Sequence, residues 1–543
     1  MEGEAASAVD VGASEDARLE SLGYKPQLNR VLPFFSNFAV AFTYLSPMVG
    51  IYSLFVLGLG TGGPAYVWLT FLPLVGMLFV ALVFGELASH YPVAGALFQY
   101  SKYTVGPRFG WFVGWLYGFA LLITVASVDT GVVSYLTTLL HNWFGDSWIG
   151  TLDPTGHGTI LVITLILLAV QTTVNITGAR RMADVAKIGV AVEILGTFGI
   201  AIVLAIHGFH HSLGFLFSTQ GVQHAAANPL GLNFHGSWLS AALIAVLAPV
   251  YIFYGFESAG DISEETKDAG RQVPRSMRHA LIWGGIASFI LTAGLLLAMQ
   301  KHNPVGATIS GGGIPFILAE LPSWLQDVIL ILVIFAFFSC GSSVQGAGSR
   351  LAFSFARDGA LPGSSWISRV NQRFKTPANA LLMGAVVAAL FALLVNINPA
   401  HNYHLWFITY PANTNALFAL VSFAVSGIYL SFLLTVIGVI VARARGWVPE
   451  GRFRLGKWGW PVTIIAVLYL GAMIVNVVYP SGITSPREFF NYDWITLSVI
   501  FVIAVIGALY LFIGRPDRNV EKHLHDPLEA TGAERAGSMP TTT

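Results

Sequence analysis

Two stretches decide how this chain folds: AFTYLSPMVGIYSLF, Ala41 to Phe55, and IFYGFESAGD, Ile252 to Asp261. Each lies in an apolar run long enough to cross a bilayer, and each puts helix-breaking residues near the middle of that run. In the first, Ser46-Pro47-Met48-Val49-Gly50 joins a glycine to a proline, which removes a backbone donor and clashes with the preceding turn. In the second, Tyr254-Gly255-Phe256-Glu257-Ser258-Ala259-Gly260 brings glycines, a carboxylate and a hydroxyl to the corresponding depth. Freed peptide groups at membrane depth are tolerated only where they meet protein or line a cavity.

Around these stretches the chain is apolar throughout. It has 543 residues, 55% of them hydrophobic and 10% charged, with a mean hydropathy of +0.68. Soluble domains carry roughly 25% charged residues. The apolar runs are long and recur at nearly even spacing. About 20 apolar residues cross the hydrocarbon, and without water each crossing must be helical. Twelve runs qualify: Leu32–Phe55, Ala65–Gly85, Phe112–Leu139, Gly158–Ile176, Val185–Ile206, Leu239–Ser258, Ala280–Met299, Trp324–Phe355, Ala378–Val395, Leu417–Val441, Trp460–Val478 and Trp494–Phe512. The expectation is an all-α membrane protein of twelve transmembrane helices, numbered here as spans 1 to 12.

Loop charge sets the orientation. Of the 28 Lys and Arg residues, only Lys301 and Arg487 fall in loops after odd-numbered spans. Arg180, Arg181 and Lys187 follow span 4; Lys267, Arg271, Arg275 and Arg278 follow span 6; Arg443, Arg445, Arg452, Arg454 and Lys457 follow span 10. Basic loops stay on the cytoplasmic side. Both termini are therefore expected in the cytoplasm, with the helices among the lipids of the cytoplasmic (inner) membrane. Residues 1–30 and 515–543 are polar and expected to be disordered tails. Between them, 31–514 reads as one twelve-helix domain, with a first repeat over 31–206, a second over 239–442, and helices 11 and 12 over 459–514. Met1 to Tyr24 lacks the apolar core and cleavage site of a signal peptide. Zero formal net charge argues against a nucleic-acid partner. The single cysteine, Cys340, excludes an intrachain disulfide and reads as a small buried hydrophobe. The outer loop His207–Trp238 holds His207, His210, His211, His224 and His235. No carboxylate or cysteine joins them at ligand spacing, so a solvated loop without metal is expected.

Both interrupted spans open a five-helix unit, spans 1–5 and spans 6–10. An odd number of crossings per unit inverts one unit against the other, the arrangement in which broken helices form a mid-membrane site. A half-helix starting after Gly50 would leave amides without partners and aim its positive dipole end at the break, which suits a carboxylate. Carbonyls freed after Tyr254 suit an ammonium group. The candidate solute site is Ser46, Val49, Gly50 and Ile51 with Tyr251, Tyr254, Gly255, Phe256 and Ser258. Tyr251, one turn before Gly255, is either a gating ring or a packing residue. Three carboxylates lie inside spans: Asp129 in span 3, Glu193 in span 5 and Glu257 at the span 6 break. A charge at such depth costs roughly 2.5–3.5 kcal/mol. Each acid is thus a proton-coupling candidate or a neutral acid bonded to a neighbouring carbonyl, and no lysine or arginine within the spans offers itself as a partner. Ser342 and Ser343 in span 8 either help ligate a sodium ion or bond neighbouring helices. The coupling ion, H+ or Na+, stays open, and nothing calls for a cofactor.

At this point the chain resembles the amino acid-polyamine-organocation transporters, and its start looks like their amino acid/choline branch. The carrying segments are LGYKPQLNRVLPFFSNFAVAF (Leu22 to Phe42), GELASHYPVAGALFQY (Gly85 to Tyr100), YGFESAGDISEETKDAGRQVPRSM (Tyr254 to Met277) and ARDGALP (Ala356 to Pro362). The resemblance implies a five-plus-five inverted-repeat (LeuT-like) fold with two additional helices, and amino-group substrates held between broken spans 1 and 6. The family's Gly-x-Glu-Ser motif falls on Gly255 to Ser258, and its gating aromatic on Tyr251. Of its glycine- and serine-rich span 1 loop only Gly50 carries over cleanly, beside the bulkier Met48 and Val49. Proton-coupled relatives often carry a lysine in span 5, fifteen residues after the glycine of an Asn-x-x-Gly turn. Here that turn is Asn175 to Gly178 and the position holds Glu193, of opposite sign, which is expected to face span 1 or span 8.

Together these features point to a secondary active amino acid permease. The alternative is an amine, 4-aminobutyrate, choline or ethanolamine permease, in which an aromatic box would replace free amides; Tyr44, Tyr52, Tyr251 and Phe256 keep it open. A membrane enzyme would need a nucleophile with its base, or a metal cluster. No His-Glu-x-x-His, nucleophile elbow or phosphate-binding glycine loop is present. A receptor would need a sizeable output domain, and the tails are short and polar.

Overall fold

Apolar runs become helices and the break residues end them in the computed structural model, which describes residues 17–220, 238–396, 403–405, 408–410, 416–479 and 494–522. Among the described residues, eleven helices are long and apolar enough to cross a membrane. They match every expected span but the sixth. Span 6 is divided into Trp238–Ala245, Leu247–Ile252 and Ser258–Asp261, and its apolar part, Ala241–Ile252, is too short to be counted by length. The chain is an all-helical membrane protein. One small addition is an antiparallel pair of strands before span 10, Tyr403–Leu405 against Ile408–Tyr410.

Two boundaries shift in ways that matter. Span 5 runs from Ala179 to His207, so Arg180 and Arg181 ride its first turn instead of a loop, and Lys187 further along it pairs with Asp184 at 2.9 Å. Span 8 runs without interruption from Ser323 to Arg357, so Arg350, already within the expected run Trp324–Phe355, lies inside a membrane helix. The fully buried Arg350 is thus a cation within a span, and it meets Glu265, which is none of the three expected acids, in a two-pronged pair at 2.8 and 2.9 Å.

The tails also depart from expectation where they are described. Leu19, Tyr24 and Leu28 are buried, so residues 17–30 pack on the bundle. Their apolar side chains are spaced among polar ones, which composition averages away. At the other end Val520 is buried, and Asp517 accepts a 2.7 Å bond from Arg108. Residues 1–16 and 523–543 lie outside the described residues.

Matched members of the two five-helix units lie against each other: span 1 on span 6, 2 on 7, 3 on 8 and 4 on 9. Elements close to a pseudo-twofold axis must do this, so the packing follows the inverted repeat. Span 10 lies along span 3. Span 12 is largely exposed, with Phe501, Phe512 and Ile513 facing outward.

Candidate solute site at the crossing of two broken helices

Span 1 consists of α1 (Phe34–Leu45) and α2 (Pro47–Gly62). Ser46 between them takes φ 38° and ψ 91°, a region that disfavours a side chain. Pro47, at the first position of α2, has a fixed φ and no N–H to satisfy. Span 6 gives α3 (Leu247–Ile252) and α4 (Ser258–Asp261). The turn between them needs Gly255 at φ 105°.

The two glycines singled out from the sequence are points of contact. A Cβ on Gly50 would stand 2.4 Å from Ile252 Cγ1 and 3.3 Å from Ile252 Cα; one on Gly255 would stand 2.8 Å from Leu45 N. The breaks therefore lie against each other, and only hydrogen fits at the closest approach. Gly50 is not the start of a half-helix, since its amide donates to Ser46 O at 3.1 Å. That expectation is corrected: α2 begins three residues earlier, at the proline.

Between the breaks is a cavity of about 10 Å³ lined by Tyr44, Leu45, Val49, Gly50, Thr124, Val128, Tyr251, Tyr254 and Cys340. One water-sized sphere fills such a space, so the site is closed. Tyr44 and Tyr251 stand edge-on to Tyr254, with centroids 6.0 and 5.7 Å apart. Ile51 lines a second small cavity with Gly50 and Ile252. Phe256 does not join the site; it packs on Phe84 and Phe432. Tyr52 also turns away, against Tyr135. Ser258 caps its own turn, donating to Gly255 O at 2.7 Å. An apolar crevice of about 290 Å³ near Trp115, Leu122, Phe355 and Met383 includes none of these residues.

The acids divide between the two breaks. Glu193 in span 5 reaches the span 1 break, where Oε2 accepts from Met48 N at 3.1 Å and Oε1 accepts from the Ser46 hydroxyl. Glu257 accepts from Gly255 N at 2.8 Å and from the Tyr117 hydroxyl at 3.3 Å. That same hydroxyl lies 2.9 Å from Asp261 Oδ2. Sequence inspection passed over Asp261, although its position four residues after Glu257 is the spacing of one helical face. Asp129 is elsewhere, accepting from Gln171 Nε2 at 2.7 Å. Ser342 and Ser343 turn to different neighbours, Asn175 at 3.1 Å and Thr43 at 2.8 Å, and so are not gathered about one point. Among the described residues no three His, Cys, Asp or Glu side chains come together to hold a metal. His210 and His211 bond to the carbonyls of Met299 and Gln300, and His224 and His235 lie outside the described residues.

On the face carrying the even-numbered loops, buried ion pairs close the bundle beneath the site. Arg350–Glu265 joins span 8 to the segment after α4. Arg357–Glu264 adds a second two-pronged pair at 2.8 and 3.0 Å. Lys102 pairs with Asp358 at 2.9 Å, and the Tyr24 hydroxyl sits 3.0 Å from both oxygens of Asp358. Burial pushes the Lys102 ammonium below its usual range against the pull of Asp358, and raises the Tyr24 phenol.

Two broken, crossing helices around an aromatic cavity are the arrangement expected from the sequence, and a family model described as amino acid permease matches residues 32–508. The chain belongs to the amino acid permease family. It is similar to the amino-acid permease BAT1 of Arabidopsis thaliana, at 28% identity over 94% of this chain and 96% of that one. It is also similar to a BAT1 homolog of Oryza sativa subsp. japonica, at 26% identity over 92% and 94%. A thiamine transporter of Schizosaccharomyces pombe, thi9, is 26% identical over 92% of this chain and 87% of its own. Family membership fits the lack of an enzymatic constellation in the sequence and the multi-pass helices.

Proposed function

We propose that this permease is a secondary active carrier that moves an amino-group solute, an amino acid or its amine counterpart, across the cytoplasmic membrane by alternating access. Both tails and the even-numbered loops face the cytoplasm, and lipid covers the outward apolar faces. Residues 31–206 and 239–442 are the inverted halves that move against each other, with 459–514 appended. The observation that carries this reading is the contact of the two breaks at Gly50 and Gly255 around a closed aromatic cavity. Parting the halves opens that cavity to one side at a time. The name of the thiamine transporter relative supports the passage of solutes other than amino acids through this architecture.

The same residues favour proton coupling. Tyr117 has one hydroxyl proton and faces two buried carboxyl groups, Glu257 and Asp261. A hydroxyl donates once, so a proton on one of the acids completes the set, and two charged acids that close repel. Opening the site to water removes this restraint and lets the proton leave. Reconstituted Glu257→Gln protein is expected to keep solute exchange across proteoliposomes while losing accumulation driven by a pH gradient. Accumulation by the variant with the wild-type pH dependence would end the coupling role.

A further inference from the structure

The opening turn of α2 has no amide to offer a solute. Pro47 carries no N–H. Val49 N donates to Ser46 Oγ at 3.2 Å, Gly50 N donates to Ser46 O at 3.1 Å, and Met48 N is taken by Glu193. Glu193 arrives from another helix, is buried, and uses both oxygens on this break. A positive helix end that could hold a ligand carboxylate thus already holds a carboxylate of the protein. The opposing break has the reverse character. The carbonyls of Tyr251, Ile252, Phe253 and Tyr254 accept no hydrogen bond among the described residues. The Tyr44 hydroxyl on the cavity wall is buried and unpartnered. No lysine or arginine lines the cavity. The cavity therefore presents aromatic faces beside a break with free carbonyls; its unpartnered donors are the neutral hydroxyls of Tyr44 and Tyr254, and neither a cationic side chain nor an amide of the opening turn is free for an anion.

We infer that Glu193 fills the anion subsite with the protein's own carboxylate, so that the solute is a primary amine or related organic cation without an α-carboxylate, and that Glu193 sets this choice. The inference rests on the carrier reading and narrows its solute class. An amine has one charged group to place, against the free carbonyls, the tyrosine rings and the field of the acids. An amino acid brings a second carboxylate to a helix end where Glu193 already sits, and the two negative charges repel.

Matched pairs that differ by one carboxylate isolate the effect: ethanolamine against serine, and isobutylamine against valine. Binding to the purified full chain is measured by thermal shift and calorimetry, and uptake in proteoliposomes. Wild type is expected to prefer the amine of each pair. Glu193→Gln keeps the size and an acceptor for Met48 N but removes the charge, and is expected to lower the amine-to-amino-acid ratio at least about tenfold, the factor for one charge-assisted contact. Glu193→Ala, if it folds, empties the subsite and lowers the ratio further. A merely structural role would weaken both members alike. A ratio that Glu193→Gln leaves unmoved, or a wild-type preference for the amino acids, overturns the inference. The expected binding ratios without any uptake overturn the carrier reading alone. Failure of wild type to bind either member of both pairs overturns the two together.

Discussion

Replacing Arg350 by methionine tests how the bundle is held shut beneath the site. Arg350 donates to both oxygens of Glu265 at 2.8 and 2.9 Å, and also to Gly346 O and the Ser349 hydroxyl. Both partners are fully buried. Removing one member of such a pair leaves an uncompensated buried charge and costs about 3–5 kcal/mol. That cost falls on the closed state alone if opening of this face hydrates Glu265, so the closed-to-open equilibrium moves by about 10²–10⁴-fold. The chain supplies its own reporter, because its single cysteine, Cys340, is buried on the wall of the cavity. Maleimide labelling of Cys340, followed by intact mass, is expected to accelerate strongly in Arg350→Met. Adding Glu265→Leu replaces the pair by an apolar contact, which is often neutral for stability, and is expected to slow labelling again. Labelling of the single variant at the wild-type rate, or of the double variant at the rate of the single one, would refute the role given to this pair.

Gly50→Ala sets a methyl 2.4 Å from Ile252 Cγ1 and 3.3 Å from Ile252 Cα; overpacking of this kind costs roughly 1–3 kcal/mol. A lower thermal midpoint and slower uptake are expected, with partial recovery on adding Ile252→Ala, and an unchanged midpoint would mean the crossing is looser than described. Tyr24→Phe removes a hydroxyl shared by Lys102, Gln99 and Asp358, for an expected loss of about 1–3 kcal/mol. Limited proteolysis should then cut the segment around Leu19 to Leu28 more readily, whereas wild-type resistance would show that its apolar side chains alone hold it.

What could be read from the residues was what depends on local chemistry. Pro47 breaks a helix wherever it sits in an apolar run, and Gly255 in a Gly-Phe-Glu-Ser stretch marks a second break without reference to any partner. Hydropathy likewise locates the spans. Partners distant along the chain escaped this kind of reading. Arg350 lay within an expected span, yet its fit with Glu265, 85 residues earlier, is invisible until spans 6 and 8 are adjacent. The local sequence suggests freed peptide groups at Gly50, whereas its value lies in the side chain it lacks, where Ile252 crosses. The sequence neighbours of Phe256 suggest a place at the solute, but the turn at Gly255 rotates it onto Phe84 and Phe432. Tyr24 sat in a stretch whose average polarity masks three buried apolar side chains.

Proline and acid at the span 1 break form a single device. With an ordinary residue at position 47, α2 would open with one more N–H, and a lone carboxylate would have too few oxygens to meet every donor. Proline removes that donor, and the Ser46 side chain and carbonyl satisfy the amides of Val49 and Gly50. One amide, that of Met48, and one hydroxyl, that of Ser46, are left for the two oxygens of Glu193. The Ser46 backbone at φ 38° is what aims its hydroxyl at the acid, and a strained conformation of this kind persists only where its surroundings over-determine it. Glu193 is the element that does so from outside span 1. The conformation of the break and the identity of the anion that fills it are therefore coupled, and any motion that withdraws Glu193 must also release Ser46. On this account Ser46→Ala loses the hydroxyl that ties acid to break, and the amine preference assigned to Glu193 should weaken in the same direction as in Glu193→Gln. A Ser46→Ala protein with the full wild-type ratio of ethanolamine to serine binding would uncouple the two.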